Sequence, residues 1–238
     1  VSWIANSRAT ANAFDSAIGH FAGVVYNGLD PEIYVTQPNR LLHAQLGLPP
    51  QTPLVGLLAV LTRWKGQIEF IKMAKHLVEQ GTDAHFAIIG SRIYDTRGDR
   101  SYEQEITTCI ADAGLQGRVH LLGHTDHPEA ILNGLEVLVH ASVQPEPFGR
   151  VVLEGLACGT PVVAAAAGGV LEIIDHEKNG LTYPAGNSLE MAQAVGRLLA
   201  NPGLRHQLIE SGRKKFVNHF TLASVCNTIS EIYDQRLG

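Results

Sequence analysis

The sequence predicts an α/β fold built on a doubly wound, Rossmann-like parallel sheet. Short runs of Val, Leu and Ile recur along the chain, and each run is followed by a segment that looks helical. Continuous apolar strands that alternate with helices are typical of a parallel sheet whose two faces are both covered. The apolar runs occupy residues 54–61, 84–89, 118–122, 135–140 and 161–164.

Two of the helical segments carry clear amphipathic patterns. The apolar positions of the first are Ile68, Ile71, Ala74, Leu77 and Val78. The second starts near Asn187 and Glu190, which resemble a capping box. Its predicted buried stripe consists of Leu189, Ala192, Val195 and Leu199. An amphipathic helix buries its apolar face, so both segments are expected to pack on the sheet.

The two ends of the chain depart from this alternation. Residues 1–53 read as a helical stretch, a short strand that ends at the turn Asn27-Gly28, and a proline-rich connection. We therefore interpret residues 1–53 as a linking segment, 54–220 as the main domain and 221–238 as a C-terminal helix. The helix has an apolar face that needs a partner, formed by Leu222, Val225, Ile229 and Ile232.

Composition narrows the classes of function. A hydrophobic fraction of 45% with 17% charged residues describes an ordinary soluble globular protein, and a net charge of −5 disfavours binding to nucleic acid. No apolar run approaches the roughly 18 residues that a membrane-spanning helix needs. Cys109, Cys158 and Cys226 show no paired spacing, which fits a reducing compartment and a cytoplasmic location.

Candidate ligand-binding residues follow the ends of the predicted strands, where open parallel sheets bind their ligands. Small, polar or charged residues stand at all five ends: Arg63 to Gly66, Gly90 to Arg92, Gly123 with His124, Ser142 to Gly149, and Gly168 with Gly169. Lys65 is informative because a cation at a helix start is unfavourable unless an anion is bound. Its alternative interpretation is a solvated surface lysine.

Two glutamates, Glu146 and Glu154, stand eight positions apart in EPFGRVVLEGLACGTPVVA, residues 146–164. Glu146 precedes a Pro-Phe-Gly break, whereas Glu154 lies in an apolar helical run, where a buried carboxylate needs partners. Both can therefore face a pocket at the N-terminal end of the helix, where phosphate-bearing ligands bind. The alternatives are a solvent-exposed loop for Glu146 and, for Gly168 and Gly169, a tight turn without a ligand.

Other chemistries fit the sequence less well. No strand is followed by the G-x-G-x-x-G that a dinucleotide site needs. A glycosidase pair is weakened by distance, since eight helical residues span about 12 Å and a retaining pair needs about 5 Å. A turn at Pro147 would bring Glu146 back toward Glu154, so a glycosidase pair stays open as an alternative. His124, His127 and His140 lack metal-ligand spacing, and we interpret them as ordinary polar or packed histidines.

The chain resembles the C-terminal, donor-binding domain of the group 1 family of retaining glycosyltransferases, which have the two-domain GT-B architecture. The resemblance rests on Glu146 and Glu154 in HASVQPEPFGRVVLEGLACGTPVVA, followed by AGGVLEIID and NGLTYPAGN. LTRWKGQIEFI at 61–71, the opening ANSRATANAF and YNGLDPEIY match the family's order and context. The similarity extends over nearly the whole chain.

This resemblance implies transfer of a hexosyl group from a nucleotide sugar to an acceptor hydroxyl with retention, without a cofactor or bound metal. It assigns Lys65 to the diphosphate, Glu154 to the ribose and Glu146, as the catalytic candidate, to the sugar. The remaining donor-binding positions that it implies are Gly90, Gly123, and the backbone of Phe148, Gly149 and Arg150. Family members carry an arginine where this chain has Val60, and Arg63 is the candidate replacement.

The resemblance also bears on partners and organisation. It implies an acceptor sugar or lipid-linked sugar as the second substrate, a role in lipopolysaccharide or exopolysaccharide biosynthesis, and attachment to the inner face of the membrane as an option. Residues 1–53 resemble the tail of the family's first domain, so we expect a donor-binding half that is inactive alone. A homo-oligomer through an uncovered C-terminal helix and a non-catalytic nucleotide-sugar binding module are the alternatives.

Overall fold

The structure is a computed structural model that describes residues 2–14, 19–92 and 100–237. The strands are β1 Ser2–Ala5, β2 His20–Val24, β3 Leu54–Leu58, β4 His85–Ile89, β5 Val119–Leu121, β6 Val137–His140, β7 Val162–Ala165 and β8 Leu181–Tyr183. The helices are α1 Arg8–Ala13, α2 Leu41–Leu46, α3 Gln67–Glu79, α4 Arg100–Asp112, α5 Pro128–Leu132, α6 Arg150–Cys158, α7 Val170–Ile173, α8 Ser188–Ala200, α9 Pro202–His219 and α10 Leu222–Leu237.

The main sheet has six parallel strands in the order β5-β4-β3-β6-β7-β8. The chain starts in the middle at β3, winds outward to β5, returns to β6 and winds outward in the other direction. The predicted doubly wound, Rossmann-like parallel sheet is therefore confirmed. Winding reverses between β3 and β6, and the crevice at such a switch point is where ligands bind.

Side chains along the strands alternate between two apolar cores, one on each face of the sheet. Val55, Leu57, Phe86 and Ile88 lie in the core under α3 and α8. Leu54, Ala87, Ile89 and Leu138 lie in the core under α6. Successive residues of a strand point to opposite faces, so a strand covered on both faces needs apolar residues throughout. This is the reason for the continuous apolar runs.

The five predicted apolar runs all contain strands of this sheet, whereas β8 was missed. β8 has three residues, which is too short for a run to stand out. The capping box is confirmed, because the Asn187 side chain accepts a hydrogen bond from the Glu190 amide. The prediction that Leu189 is buried is wrong: it is 46% exposed. The buried face of α8 includes Met191, and Leu189 lies about 160° from Met191 around the helix axis.

The opening segment forms structure of its own. β1 and β2 pair in parallel outside the main sheet, and β1 was not predicted because it has four residues. Tyr34 and Leu42 join the core under α6, so part of residues 1–53 belongs to the main body. The domain boundaries of the sequence analysis otherwise stay a prediction.

The expectation that the apolar face of α10 is left uncovered is wrong. Val225 packs closely on Gly28: a Cβ atom built on Gly28 would lie 2.6 Å from the Val225 side chain. Ile232 lies 3.1 Å from the corresponding position at Gly23. Residues of the opening segment therefore cover part of this face, while Leu222 is 48% exposed. Within the described ranges, no helix is both long and apolar enough to cross a membrane.

Candidate functional site

The candidate site lies at the switch point, where the segments after β3 and β6 meet. A 3-10 turn, Arg63–Lys65, follows β3, and its Trp64 carbonyl accepts a hydrogen bond of 2.8 Å from the Val143 amide. Gly66 has φ 73°, and a Cβ atom on it would lie 1.9 Å from the Ala141 carbonyl oxygen. Only glycine permits this approach, which brings Lys65 beside the loop after β6.

Glu146 is buried at this junction and accepts hydrogen bonds from three side chains through one oxygen, Oε1. The donors are Nζ of Lys65, Oγ of Ser142 at 2.6 Å, and Nε2 of His140 at 3.0 Å. Burial raises the pKa of Glu146, but these hydrogen bonds and the charge of Lys65 outweigh it and lower the pKa to about 2. The carboxylate is thus ionised at any physiological pH.

The second oxygen of Glu146, Oε2, is left available. It has no protein partner within the described residues. Nor does it belong, in the described part of the chain, to the fully buried side-chain atoms without a partner. One oxygen is anchored and the other can accept a hydrogen bond from a ligand.

The backbone of Glu146 is fixed by the turn at Gly168 and Gly169. The Gly169 amide donates to the Glu146 carbonyl at 2.8 Å, and a Cβ atom on Gly168 would lie 2.2 Å from that oxygen. A tight turn therefore explains why these two glycines lie so close to the backbone of Glu146. The Gly169 N–H group is occupied within the protein.

Glu154 lies on α6 and is 7% exposed. Its Oε1 accepts hydrogen bonds from Nε of Arg150 at 2.9 Å and from the Tyr34 hydroxyl at 3.2 Å. Burial raises the pKa of Glu154, and Arg150 and Tyr34 offset this only in part. The buried carboxylate of Glu154 thus has the partners that it was expected to need. The sequence does not reveal Tyr34 as one of them, because Tyr34 lies in residues 1–53, which read as a linking segment.

Helix α6 begins directly beside Glu146. Gly149 is its N-cap with φ 94°, and no side chain caps the helix. The first N–H groups of a helix have no intrahelical acceptor and favour an anion. Phe148 contributes only its backbone here, since its side chain is 2% exposed and packs near Tyr26 and Phe220.

Gly90 and Gly123 meet at the ends of β4 and β5. The Gly90 amide donates to the Gly123 carbonyl at 2.7 Å. Both line a cavity of about 250 Å³, together with Leu61, Ile88, Ser91, Arg92, Glu103 and Leu121. Nε of Arg92 lies 3.5 Å from Glu103 in this cavity. The next residues, 93–99, lie outside the described part.

Arg63 points away from Glu146 and toward α4. Its guanidinium is 2.5 Å from Glu105 and lies over the Tyr102 ring at 4.9 Å. Of the three predicted cations, Lys65 thus contacts Glu146 and Arg150 contacts Glu154, whereas Arg63 pairs with Glu105. Among the described residues, no group of three or more His, Cys, Asp or Glu side chains is placed to hold a metal ion.

His140 is the site residue that the sequence analysis passed over as an ordinary packed histidine. It is the last residue of β6 and is 4% exposed, and its side chain contacts Glu146. The spacing of a polar residue at a strand end, six positions before the glutamate, is the signal that could have found it. His124 and His127 are exposed and pair with Asp126 and Glu129.

Solved structures share this fold. HepE of Anabaena, solved with UDP-glucose, has a TM-score of 0.88 and is 30% identical, over 98% of this chain and 63% of that chain. A C-terminal domain of a group 1 family protein from Francisella tularensis has a TM-score of 0.71 at 23% identity, over 82% of this chain and all of that one. The latter likeness shows the fold alone. These neighbours are GT-B glycosyltransferases.

Sequence relatives agree with the structural ones. An uncharacterised glycosyltransferase of Methanocaldococcus jannaschii is 29% identical over 88% of this chain and 53% of its own length. The 2-deoxystreptamine glucosyltransferase of Streptomyces kanamyceticus is 26% identical over 90% of this chain and 54% of its own length. The chain thus spans about half the length of these curated relatives.

The model of a protein family matches most of the chain. The model for glycosyl transferases group 1 matches residues 39–215, which include β3 to β8 and the candidate site. The match covers well over half of the sequence and both glutamates. This chain therefore belongs to the group 1 glycosyltransferase family.

Proposed function

We propose that this chain is the donor-binding half of a retaining glycosyltransferase, which moves a hexosyl group from a nucleotide sugar to an acceptor hydroxyl. The observation that carries the proposal is the contact between Lys65 and Glu146 beside the uncapped start of α6. This arrangement sets a cation, a hydrogen-bond acceptor and helix N–H groups around one space at the switch point. HepE, solved with UDP-glucose, supports a nucleotide sugar as the donor.

The diphosphate is assigned to Lys65 and to the backbone N–H groups of Gly149 and Arg150. Without a donor, Lys65 pairs with Glu146, and a bound diphosphate competes for it. As the bond from the anomeric carbon to the diphosphate breaks, its electrons stay on the leaving group. Lys65 and the helix N–H groups stabilise that charge without a metal ion. The acceptor oxygen then bonds to the anomeric carbon, and its proton passes to the departing diphosphate.

The other parts of the donor fit the remaining residues. Glu154 accepts hydrogen bonds from the ribose hydroxyls, and Oε2 of Glu146 accepts one from the transferred sugar. The cavity at Gly90 and Gly123 receives the base, largely through backbone groups. The acceptor, a sugar or a lipid-linked sugar, would bind outside the residues assigned here, so we expect the chain alone to bind donor without turning it over.

Calorimetric titration with UDP, GDP and ADP tests the proposal. One of these nucleotides should bind, and Glu154→Gln should weaken it about tenfold, because an ionised acceptor of the ribose hydroxyls is lost. Glu210→Gln is the matched control, since Glu210 also pairs with a residue four positions away, His206, but on the exposed surface of α9. Failure of all three nucleotides to bind would contradict the proposal.

A non-catalytic nucleotide-sugar binding module is the second candidate. Val60 stands where a second cation is expected, and Arg63 is engaged by Glu105. That pair is half exposed and hence weak, so Arg63 is free to turn to a diphosphate.

Joining this chain to the first domain of a relative distinguishes the two candidates. Donor hydrolysis or transfer by the fusion supports the enzyme, and nucleotide-sugar binding without either supports the module.

A further inference from the structure

We propose that His140 is a positioning residue for the sugar contact: its imidazole holds Oε1 of Glu146 so that Oε2 faces the transferred sugar. This inference rests on the proposed function and adds a residue to the site. His140 does not touch the donor itself. It acts through Glu146.

The position of the imidazole is fixed by the fold. His140 ends β6, a fully buried strand in the middle of the sheet. Its carbonyl oxygen accepts a hydrogen bond of 3.1 Å from the buried Tyr183 hydroxyl. Its side chain is 3% exposed. A ring held this way presents Nε2 to Glu146 with little freedom to move.

The hydrogen-bond pattern shows which ring nitrogen of His140 donates. Nε2 lies 3.0 Å from a carboxylate oxygen, which only accepts, so Nε2 must carry the proton. Nδ1 is buried and has no partner in the described part of the chain. His140 therefore donates to Glu146 through Nε2, and its other nitrogen makes no competing hydrogen bond within the described residues.

The three donors on Oε1 then divide into two kinds. Lys65 is a cation, and a diphosphate competes for it. Ser142 carries no charge, and the buried ring of His140 is held at the end of β6, so neither turns away from Glu146. When Lys65 turns to the ligand, His140 and Ser142 still hold the carboxylate in place. Their effect should appear in the affinity for the sugar moiety and not in the affinity for the nucleotide.

Two isosteric variants test this assignment. Gln places its amide nitrogen near the position of Nε2, and Asn places it near Nδ1. His140→Asn should lower the ratio of nucleotide-sugar affinity to free-nucleotide affinity about tenfold, the worth of one hydrogen bond to a charged group. His140→Gln should restore most of the ratio. The probes are UDP-glucose, GDP-mannose and ADP-glucose, each titrated beside its free diphosphate.

His43→Asn is the matched control. His43 is 1% exposed, bonds through Nε2 to the Thr52 carbonyl and has an unpartnered Nδ1, yet it lies on α2, away from the site. Its variant should leave the ratio unchanged. Ser142→Ala removes the other donor that stays on Oε1 and should lower the ratio, which supplies a second test if His140→Asn does not fold.

Three results would overturn the inference. In the first, His140→Asn and Ser142→Ala keep the wild-type ratio while folded. In the second, both affinities fall together, which indicates a structural role only. In the third, His140→Gln is as weak as His140→Asn. If the wild-type protein binds no nucleotide, the proposed function fails and takes this inference with it, whereas normal nucleotide binding with an unchanged ratio removes this inference alone.

Discussion

Glu146 and Glu154 belong to one motif, yet their surroundings shift the pKa values of the two carboxyls in opposite directions. Burial raises the pKa of both carboxyls, but for Glu146 three donors and a lysine charge reverse the shift. For Glu154, whose partners are one arginine and one tyrosine, burial prevails. The ionised form of Glu146 stabilises the fold, whereas the ionised form of Glu154 is held at a cost that ligand binding can recover.

The low pKa of Glu146 makes stability fall in acid. Its pKa is about 2 in the folded protein against 4.5 for the free group, so the contribution is complete above pH 4.5 and is lost as the pH falls toward 2. By pH 3 about 2 kcal/mol should be gone. Glu146→Gln should remove that part of the loss, measured by urea unfolding at pH 6 and pH 3. Equal losses in both proteins would contradict the assignment.

The raised pKa of Glu154 has the opposite consequence for the fold. A folded-state pKa above the free value means that the ionised carboxylate destabilises the protein at neutral pH. Glu154→Gln should therefore leave the free energy of unfolding at pH 7 unchanged within about 1 kcal/mol, or raise it, even as nucleotide affinity drops. Thermal and urea unfolding measure this. A loss of several kcal/mol would show that Glu154 is a structural ion-pair partner.

Residue roles could be predicted only where a pattern exposed them. Lys65 and Glu146 follow the ends of β3 and β6, and the rule for parallel sheets predicts that such residues meet. His140 is marked only by its place at the end of an apolar strand, and a packed histidine gives the same pattern until the loop after β6 folds back. A separation of about 12 Å between Glu146 and Glu154 requires a helix through all eight positions, whereas α6 begins only at Arg150.

At the scale of elements, the loop 146–149 is held from several sides. The Gly168–Gly169 turn binds the backbone of Glu146. The hydroxyl groups of Ser7 and Thr10, at α1, donate to the Pro147 carbonyl at 2.5 and 3.2 Å. The position of the site loop is thus set by elements that are distant in sequence, which no local pattern reveals.

The close approach of Gly168 gives a prediction for this loop. Gly168→Ala should weaken nucleotide-sugar binding, because its Cβ atom would lie 2.2 Å from the Glu146 carbonyl oxygen and would displace the loop. Gly186→Ala controls for backbone strain, since Gly186 has a similar φ of 80° but nothing within 4 Å of its Cβ position. Calorimetry compares the two. Equal effects would mean that strain, not contact, governs Gly168.

Element length decided which strands could be predicted. The runs that contain β3, β4, β6 and β7 are continuous and apolar because both faces of each strand are covered. β8 has three residues and β1 has four, so neither produces a pattern longer than chance. The predicted α8 stripe is right at Ala192 and Val195, which are buried, and wrong at Leu189, whose place on the buried face is taken by Met191.

At the scale of the whole molecule, α10 closes back on the opening segment. Ile4, Val25, Ile229 and Ile232 line a cavity of about 620 Å³ between them. A homo-oligomer stays a prediction, but it can no longer rest on an uncovered α10.

A charged substitution tests whether α10 packs on the opening segment. Ile232→Asp places a carboxylate in the apolar cavity and should speed limited proteolysis within α10. Ser230→Asp, on the exposed side of the same helix, is the control and should be as resistant as the wild type. Equal resistance of Ile232→Asp would show that this face is not docked.

The most direct measurement of the central claim is a nuclear magnetic resonance titration of the isotope-labelled chain with the nucleoside diphosphate that it binds. The backbone amides of Gly90, Gly123 and Gly149, at the carboxyl ends of β4 and β5 and the start of α6, should shift strongly. Those of Gly81 and Gly117, which precede β4 and β5 at the opposite edge, should not. Shifts confined to the opposite edge, or none at all, would contradict a donor site at the switch point.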